Sequence, residues 1–117
     1  MPHLVVDCSP DVLEACPPQR LLAAIHEEAV ASGLFALADI KVRIRPFEHF
    51  AVAGGGDAFV HVFAHIMEGR SAAQRGALSA LVVRRLVAEL PGVPVVSMNV
   101  VEIERAAYAN RASIGAT

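Results

Sequence analysis

Residues 40–47 read Ile-Lys-Val-Arg-Ile-Arg-Pro-Phe, and the alternation is strict. Lys41, Arg43 and Arg45 fall on one side and Ile40, Val42 and Ile44 on the other, the period-two pattern of a half-buried strand. Pro46 marks its end or an edge position, because it has no N–H to give to a sheet ladder. Upstream, Leu21, Leu22, Ile25, Ala29 and Val30 recur at helical spacing between Gln19 and Ser32. Pro17-Pro18 suits the first turn of that helix and Gly33 its C-terminal cap. Further back, His3 to Cys8 is a short apolar run closed by Ser9-Pro10-Asp11, which reads as a first strand. The first half of the chain is thus strand, helix, strand.

Downstream the layout repeats. Gly54-Gly55-Gly56-Asp57 forms a hinge or hairpin connection, and Ala58 to Met67 is a nearly continuous β-prone run. Gly69-Arg70 makes a turn, and Ser71 with Gln74 forms a capping box for a helix. That helix runs from Ala72 to Leu90 and carries Leu78, Leu81, Val82, Leu86 and Leu90. Pro91-Gly92-Val93-Pro94 stops it, and Val95 to Ile103 is a fourth strand. The whole of 1–117 reads as one domain with two similar halves, 1–53 and 57–104, and a polar tail of weak structure, 105–117.

A strand–crossover–strand unit favours parallel, right-handed pairing. Two of them give an α/β (α+β) fold: a four-stranded mixed sheet with both long helices on one face. The same order of elements also fits a ferredoxin-like sheet, as in small ligand-binding regulatory domains. On element order alone the ferredoxin-like arrangement comes first.

Composition narrows the classes. The 117 residues are 55% apolar and 19% charged, with a mass of 12.4 kDa and a mean hydropathy of +0.49. A monomer of this mass exposes about 6,100 Å² and has room for one modest core. The surplus apolar surface is therefore expected on the uncovered sheet face, as a subunit interface. No membrane span is expected, because the longest uncharged stretches are twelve residues, Leu90–Val101, and ten, Ala29–Ala38, against the roughly 20 a bilayer needs. Met1-Pro2-His3 has no basic start, and Asp7 interrupts the apolar run behind it, so no signal peptide is expected. The net charge of −2 argues against a general nucleic-acid binder. Cys8 and Cys16 lack metal or redox spacing and read as reduced thiols of a cytoplasmic protein.

The residue that invites chemistry is Pro2. Trimming of Met1 would leave it as a secondary amine, and an α-amino group titrates near 7.7–8.0, closer to neutrality than lysine. Burial or a neighbouring cation lowers that further, towards the value a general base needs. Many chains that begin Met-Pro make no use of it. Lys41, Arg43 and Arg45 form a positive stripe fit for a di- or tricarboxylate; the plainer reading is a solvated face or ion pairs with Glu48, Glu102 and Glu104. Arg70, just ahead of a helix N-terminus, can join its N–H groups in holding an anion, or be a simple exposed turn residue. His61 and His65 share a strand face with Phe59 and Phe63; two histidines make no metal site, and core or interface places suit them better. His3 and His49 can approach a pocket, though no spacing requires it. Gly54-Gly55-Gly56 precedes a strand rather than a helix and is no nucleotide loop. Phe47 and Phe50 suit packing, with one of them a candidate substrate wall.

These segments together resemble a known family. Met1-Pro2-His3-Leu4-Val5-Val6-Asp7-Cys8-Ser9, Gly33-Leu34-Phe35-Ala36-Leu37-Ala38 with the basic strand behind it, Ala58-Phe59-Val60-His61-Val62 and Gly69-Arg70-Ser71 are similar, in register from residue 1 to about 104, to the 5-carboxymethyl-2-hydroxymuconate Δ-isomerases of the tautomerase superfamily. The resemblance implies a tautomerase-like fold of two β-α-β units, a cytoplasmic homotrimer, and isomerisation of an unsaturated 2-hydroxy acid to its 2-oxo form in aromatic-compound catabolism. It implies a small carboxylate substrate, no metal and no cofactor, with an N-terminal proline moving the proton. Pro2 takes that position, and Arg70 matches a carboxylate-binding arginine. Lys41 stands where the family has arginine, which keeps the charge but loses the planar two-pronged grip; Arg43 matches another basic position. The tail Tyr108-Ala109-Asn110-Arg111-Ala112-Ser113-Ile114 departs from the family's amide- and His-containing segment. That departure points to a tautomerase acting on a different 2-oxo or 2-hydroxy acid as one alternative. A non-catalytic anion-binding regulatory domain is the other.

Overall fold

The computed structural model describes residues 1–116. Its main elements are β1 (His3–Cys8), a short helix α1 (Val12–Ala15), α2 (Pro18–Ala31), β2 (Lys41–Pro46), β3 (Phe59–Met67), α3 (Ala72–Glu89) and β4 (Val95–Ile103). The strand limits expected from alternation agree to within a residue, and those of β1 and β4 agree outright. Pro18 opens α2, and Gly33, at φ 73°, follows its end. Ser71 and Gln74 close the capping box of α3 in both directions.

The sheet order is β2-β1-β3-β4. β1 runs parallel to β2 and antiparallel to β3, and β3 runs parallel to β4. A ferredoxin-like sheet splits each β-α-β unit by placing another strand between its two strands. Here both pairs are adjacent, so the arrangement that element order alone places first is not the one formed. Pairing order depends on which strand faces fit together, and period-two alternation does not encode it.

The core lies between the sheet and the helices. Leu4, Val6 and Cys8 of β1 and Val60, Val62, Ala64 and Ile66 of β3 meet Leu21, Ile25 and Ala29 of α2 and Leu78, Val82 and Leu86 of α3. Across the helix pair, Arg85 of α3 bonds Glu27 and Glu28 of α2, and Arg20 of α2 bonds Glu89 of α3; within α3, Arg85 also bonds Glu89. Hydrogen bonds from Arg85 and then Arg20 hold the Glu89 carboxyl below its ordinary range. No helix among the described residues is long and apolar enough to cross a membrane.

Among the described residues no helix packs on the opposite sheet face, as expected, but its composition is more mixed than an apolar surplus suggests. Val5, Phe63 and Val101 share it with His3, Asp7, Arg43, His61 and Asn99. Several of the most exposed apolar side chains lie elsewhere, at Val30, Leu37, Val87 and Ile114. The chain is also less compact than its length requires. Its radius of gyration is 15.2 Å, against about 13 Å expected for this length, and it exposes 6627 Å². Residues 47–58 form a largely exposed arm that carries the chain past the Cys8 end of β1 from β2 to β3. The arm turns tightly at Val52–Gly55, where Ala53 and Gly54 both adopt positive φ, the geometry of a two-residue hairpin turn.

Candidate active site

The pairing directions decide what meets at the other end of the sheet. His3 stands opposite Lys41 on one side and His65 on the other, and Met67 stands opposite Ile103. The starts of β1 and β2 therefore lie with the ends of β3 and β4. Pro2, Lys41, the Gly69-Arg70 turn and the segment after Ile103 converge there, although they are far apart in sequence. Pro2 itself is buried, and its carbonyl accepts a hydrogen bond from the Lys41 N–H at 3.1 Å.

Two clefts open at this end, and Met1 and Tyr108 line both. One, of about 320 Å³, adds His3, Arg43, His65 and Ile103. The other, of about 530 Å³, adds Asp39, Met67, Arg70, Arg105, Asn110 and Ser113. Pro2 and the three expected cations thus share one neighbourhood: Arg43 is in the first cleft, Arg70 in the second, and Lys41 stands beside the N-terminal amine between them.

The electrostatics favour an uncharged amine. The Met1 α-amino group is held below its ordinary value, first by burial and then by the Lys41 charge and a hydrogen bond to it, with Asp39 pulling weakly the other way. Lys41 Nζ donates to the Asp39 carbonyl at 2.7 Å. His3 is also pushed down, by burial first and then by Arg43 and Lys41. Arg43 Nη1 lies 3.0 Å from His3 Nδ1. A guanidinium only donates, so Nδ1 is the acceptor and His3 is neutral.

Arg70 is oriented before any ligand arrives. Its Nη2 donates to the Leu34 carbonyl, and its guanidinium stacks 5.4 Å from the Phe35 ring centre, so the loop after α2 and the turn before α3 are tied together. The helix N-terminus behind it offers less than expected, because the capping box occupies the Ser71 and Gln74 N–H groups.

Arg45 stands apart. It pairs with Asp7, its register partner on β1, at 2.8 Å, and not with Glu48, Glu102 or Glu104; Glu102 pairs with Arg75. His61 is satisfied by Ser97 and Asn99 of β4, at 2.6 Å to each ring nitrogen. Phe50 packs on Phe59, and His49 sits on the arm at the far end of the sheet. Cys8 and Cys16 are buried free thiols, and burial pushes Cys8 up to about 11. Among the described residues no three His, Cys, Asp or Glu side chains gather as a metal site.

The tail departs most from expectation. Residues 105–107 form a 3-10 turn, and Asn110 and Ser113 bond each other reciprocally, main chain to side chain, at 2.8 Å both ways. Arg105, Tyr108, Asn110 and Ser113 line the larger cleft, and sequence patterning assigned them no role. A polar segment without periodicity carries no signal of where it packs; the one hint is Asn110 and Ser113 at capping-box spacing.

Two adjacent β-α-β units on one four-stranded mixed sheet make the tautomerase fold. The structure of a 5-carboxymethyl-2-hydroxymuconate isomerase from Deinococcus radiodurans R1 matches this one with a TM-score of 0.80 at 21% identity, covering 93% of this chain and 87% of that one. A fused 4-OT, Q0, solved as a symmetric trimer, matches with a TM-score of 0.69 at 19% identity, covering 97% of this chain and 98% of that one. The model of the 5-carboxymethyl-2-hydroxymuconate isomerase family matches residues 2–115, and the chain belongs to that family of isomerases. The 5-carboxymethyl-2-hydroxymuconate Delta-isomerase of Escherichia coli is 34% identical over 77 residues, 64% of this chain. That match spans 61% of the relative's length.

Proposed function

We propose that this protein is a cofactor-independent isomerase that converts an unsaturated 2-hydroxy di- or tricarboxylate, of the 5-carboxymethyl-2-hydroxymuconate type, to its 2-oxo isomer. The observation that carries the reading is the position of the N-terminus, between two clefts that hold Arg43 and Arg70 and directly beside Lys41. Membership of the isomerase family supports it.

In this mechanism Met1 is removed and the space it takes in both clefts becomes substrate space around the Pro2 nitrogen. The neutral secondary amine accepts the proton of the 2-hydroxyl group, and the electron pair left on oxygen spreads through the diene as a dienolate. The resulting prolinium returns a proton to carbon, giving the 2-oxo acid and restoring the amine. Lys41 lowers the basicity of the amine, and Arg70 with Lys41 or Arg43 binds carboxylate and steadies the dienolate charge. The surroundings that hold the Met1 amine low act on the Pro2 amine in the same sense.

The chain works as a homotrimer in this account. The trimeric fused 4-OT neighbour supports that state, as does a sheet face on which no helix packs among the described residues. Buried, reduced thiols fit a cytoplasmic setting.

A second reading concerns the substrate alone. Lys41 in place of arginine and a tail that lines the cleft favour a related 2-oxo or 2-hydroxy acid. A panel of 2-hydroxymuconates and enolised 2-oxo acids, followed by ultraviolet absorbance on protein processed to Pro2, tests both. Turnover of the muconates is expected, from a species sedimenting as three chains. Turnover of the other acids alone would move the substrate assignment; none on any member would leave a binding module and overturn the isomerase.

A further inference from the structure

We propose that Arg105 selects the substrate, by taking the carboxylate of a diacid that lies farthest from the reacting enol. This rests on reading the larger cleft as substrate space, and it gives a role to a tail residue to which sequence patterning assigned none.

Three observations converge on it. First, Arg105 lines the same cleft as Met1 and Arg70, and its main chain is fixed there. Its N–H donates to Glu68 Oε2, its carbonyl accepts from Tyr108, and it opens the 3-10 turn that follows β4. Second, among the described residues no carboxylate comes within 4 Å of its guanidinium, whereas Arg20, Arg45, Arg75 and Arg85 all have one. Glu68 engages its main chain instead. Third, Arg70 has already given one nitrogen to Leu34 and one face to Phe35. It can grip one carboxylate but has little left for a second.

The cleft holds one acid, Asp39, on the Met1 side. It weighs against an anion there and leaves the Arg105 side as the end for the distal carboxylate. The tail turn supplies the wall, because Asn110 and Ser113 lock each other into one geometry. A guanidinium with no side-chain hydrogen bond or ion pair among the described residues, on a braced segment, is suited to a planar carboxylate.

The test compares Arg105→Ala, Arg105→Lys and, as a tail control, Arg111→Ala. Two dienols serve as substrates, 2-hydroxymuconate with two carboxylates and 2-hydroxypenta-2,4-dienoate with one. Arg105→Ala is expected to raise KM for the diacid about tenfold, the size of one charge-assisted contact open to solvent, with kcat within about twofold and the monoacid unaffected. Arg105→Lys should recover part of the loss, and Arg111→Ala should match the parent. Equal shifts for both substrates, or none, would overturn the assignment. Calorimetric titration with muconate, which lacks the 2-hydroxyl and cannot react, separates this from the isomerase reading. Arg105-dependent muconate binding without turnover would sink the isomerase and keep Arg105. Unchanged muconate affinity in Arg105→Ala, with turnover intact, would do the reverse.

Discussion

Protein that retains Met1 is expected to turn over a 2-hydroxymuconate at least about 100-fold more slowly than protein processed to Pro2, the lower end of what a positioned general acid–base group contributes. With Met1 in place the Pro2 nitrogen is an amide, with no basic lone pair and no proton to return. The Met1 amine is a poor replacement, because it lies one residue further out and Met1 itself takes up space in both clefts. Pro2→Ala is a gentler change, since the alanine exposed by processing still carries a primary amine, and a partial loss is expected there. The comparison needs intact-mass measurement of each preparation and initial rates on the same substrate. Equal rates would end the proline mechanism.

The second large effect is expected at Arg70. Arg70→Ala should lower kcat/KM by about 10²–10³, the usual cost of removing one preorganised donor from a developing anion. Arg70→Lys should recover a minor part, because an ammonium cannot present a planar fork or stack on Phe35 in the same way. The bond to Leu34 and the stacking on Phe35 also brace the loop after α2, so some stability is lost with the side chain. Urea unfolding of each variant separates the two effects. A rate loss far beyond any fraction unfolded belongs to the site. A variant that is fully folded and fully active would show Arg70 to be a brace for that loop and nothing more.

Much of this was legible from residue order. The alternation of 40–47 placed Lys41 and Arg43 on one strand face, and both are there. Pro18, Gly33 and the Ser71–Gln74 box marked helix ends because they answer local demands for N–H groups and backbone angles, which a sequence shows directly. Tertiary facts were not local in that way. The adjacency of β1 and β2 depends on how strand faces pack, and it decides whether Arg45 meets Asp7 or a distant glutamate. The same pairing brings the N-terminus, the Gly69-Arg70 turn and Arg105 to one sheet end, although no spacing relates them. The uncovered face was deduced correctly from counting helices, but its mixture of histidine, arginine, asparagine and phenylalanine was not. The tail was the largest miss, because its order comes from a few polar contacts and not from a buried apolar stripe.

The central claim is that the amine of Pro2 carries the proton. The most direct test is an NMR titration of protein labelled with ¹⁵N-proline and processed to Pro2, set beside the pH dependence of kcat/KM. Burial and the neighbouring Lys41 charge hold the Met1 amine down, and the same surroundings are expected to act on the Pro2 amine, which should titrate below the usual 7.7–8.0 of an α-amino group. Activity requires the neutral base, so kcat/KM should fall as the pH drops through that same value and level off above it. An amine that titrates at or above about 8, or a rate that ignores its titration, would contradict the account.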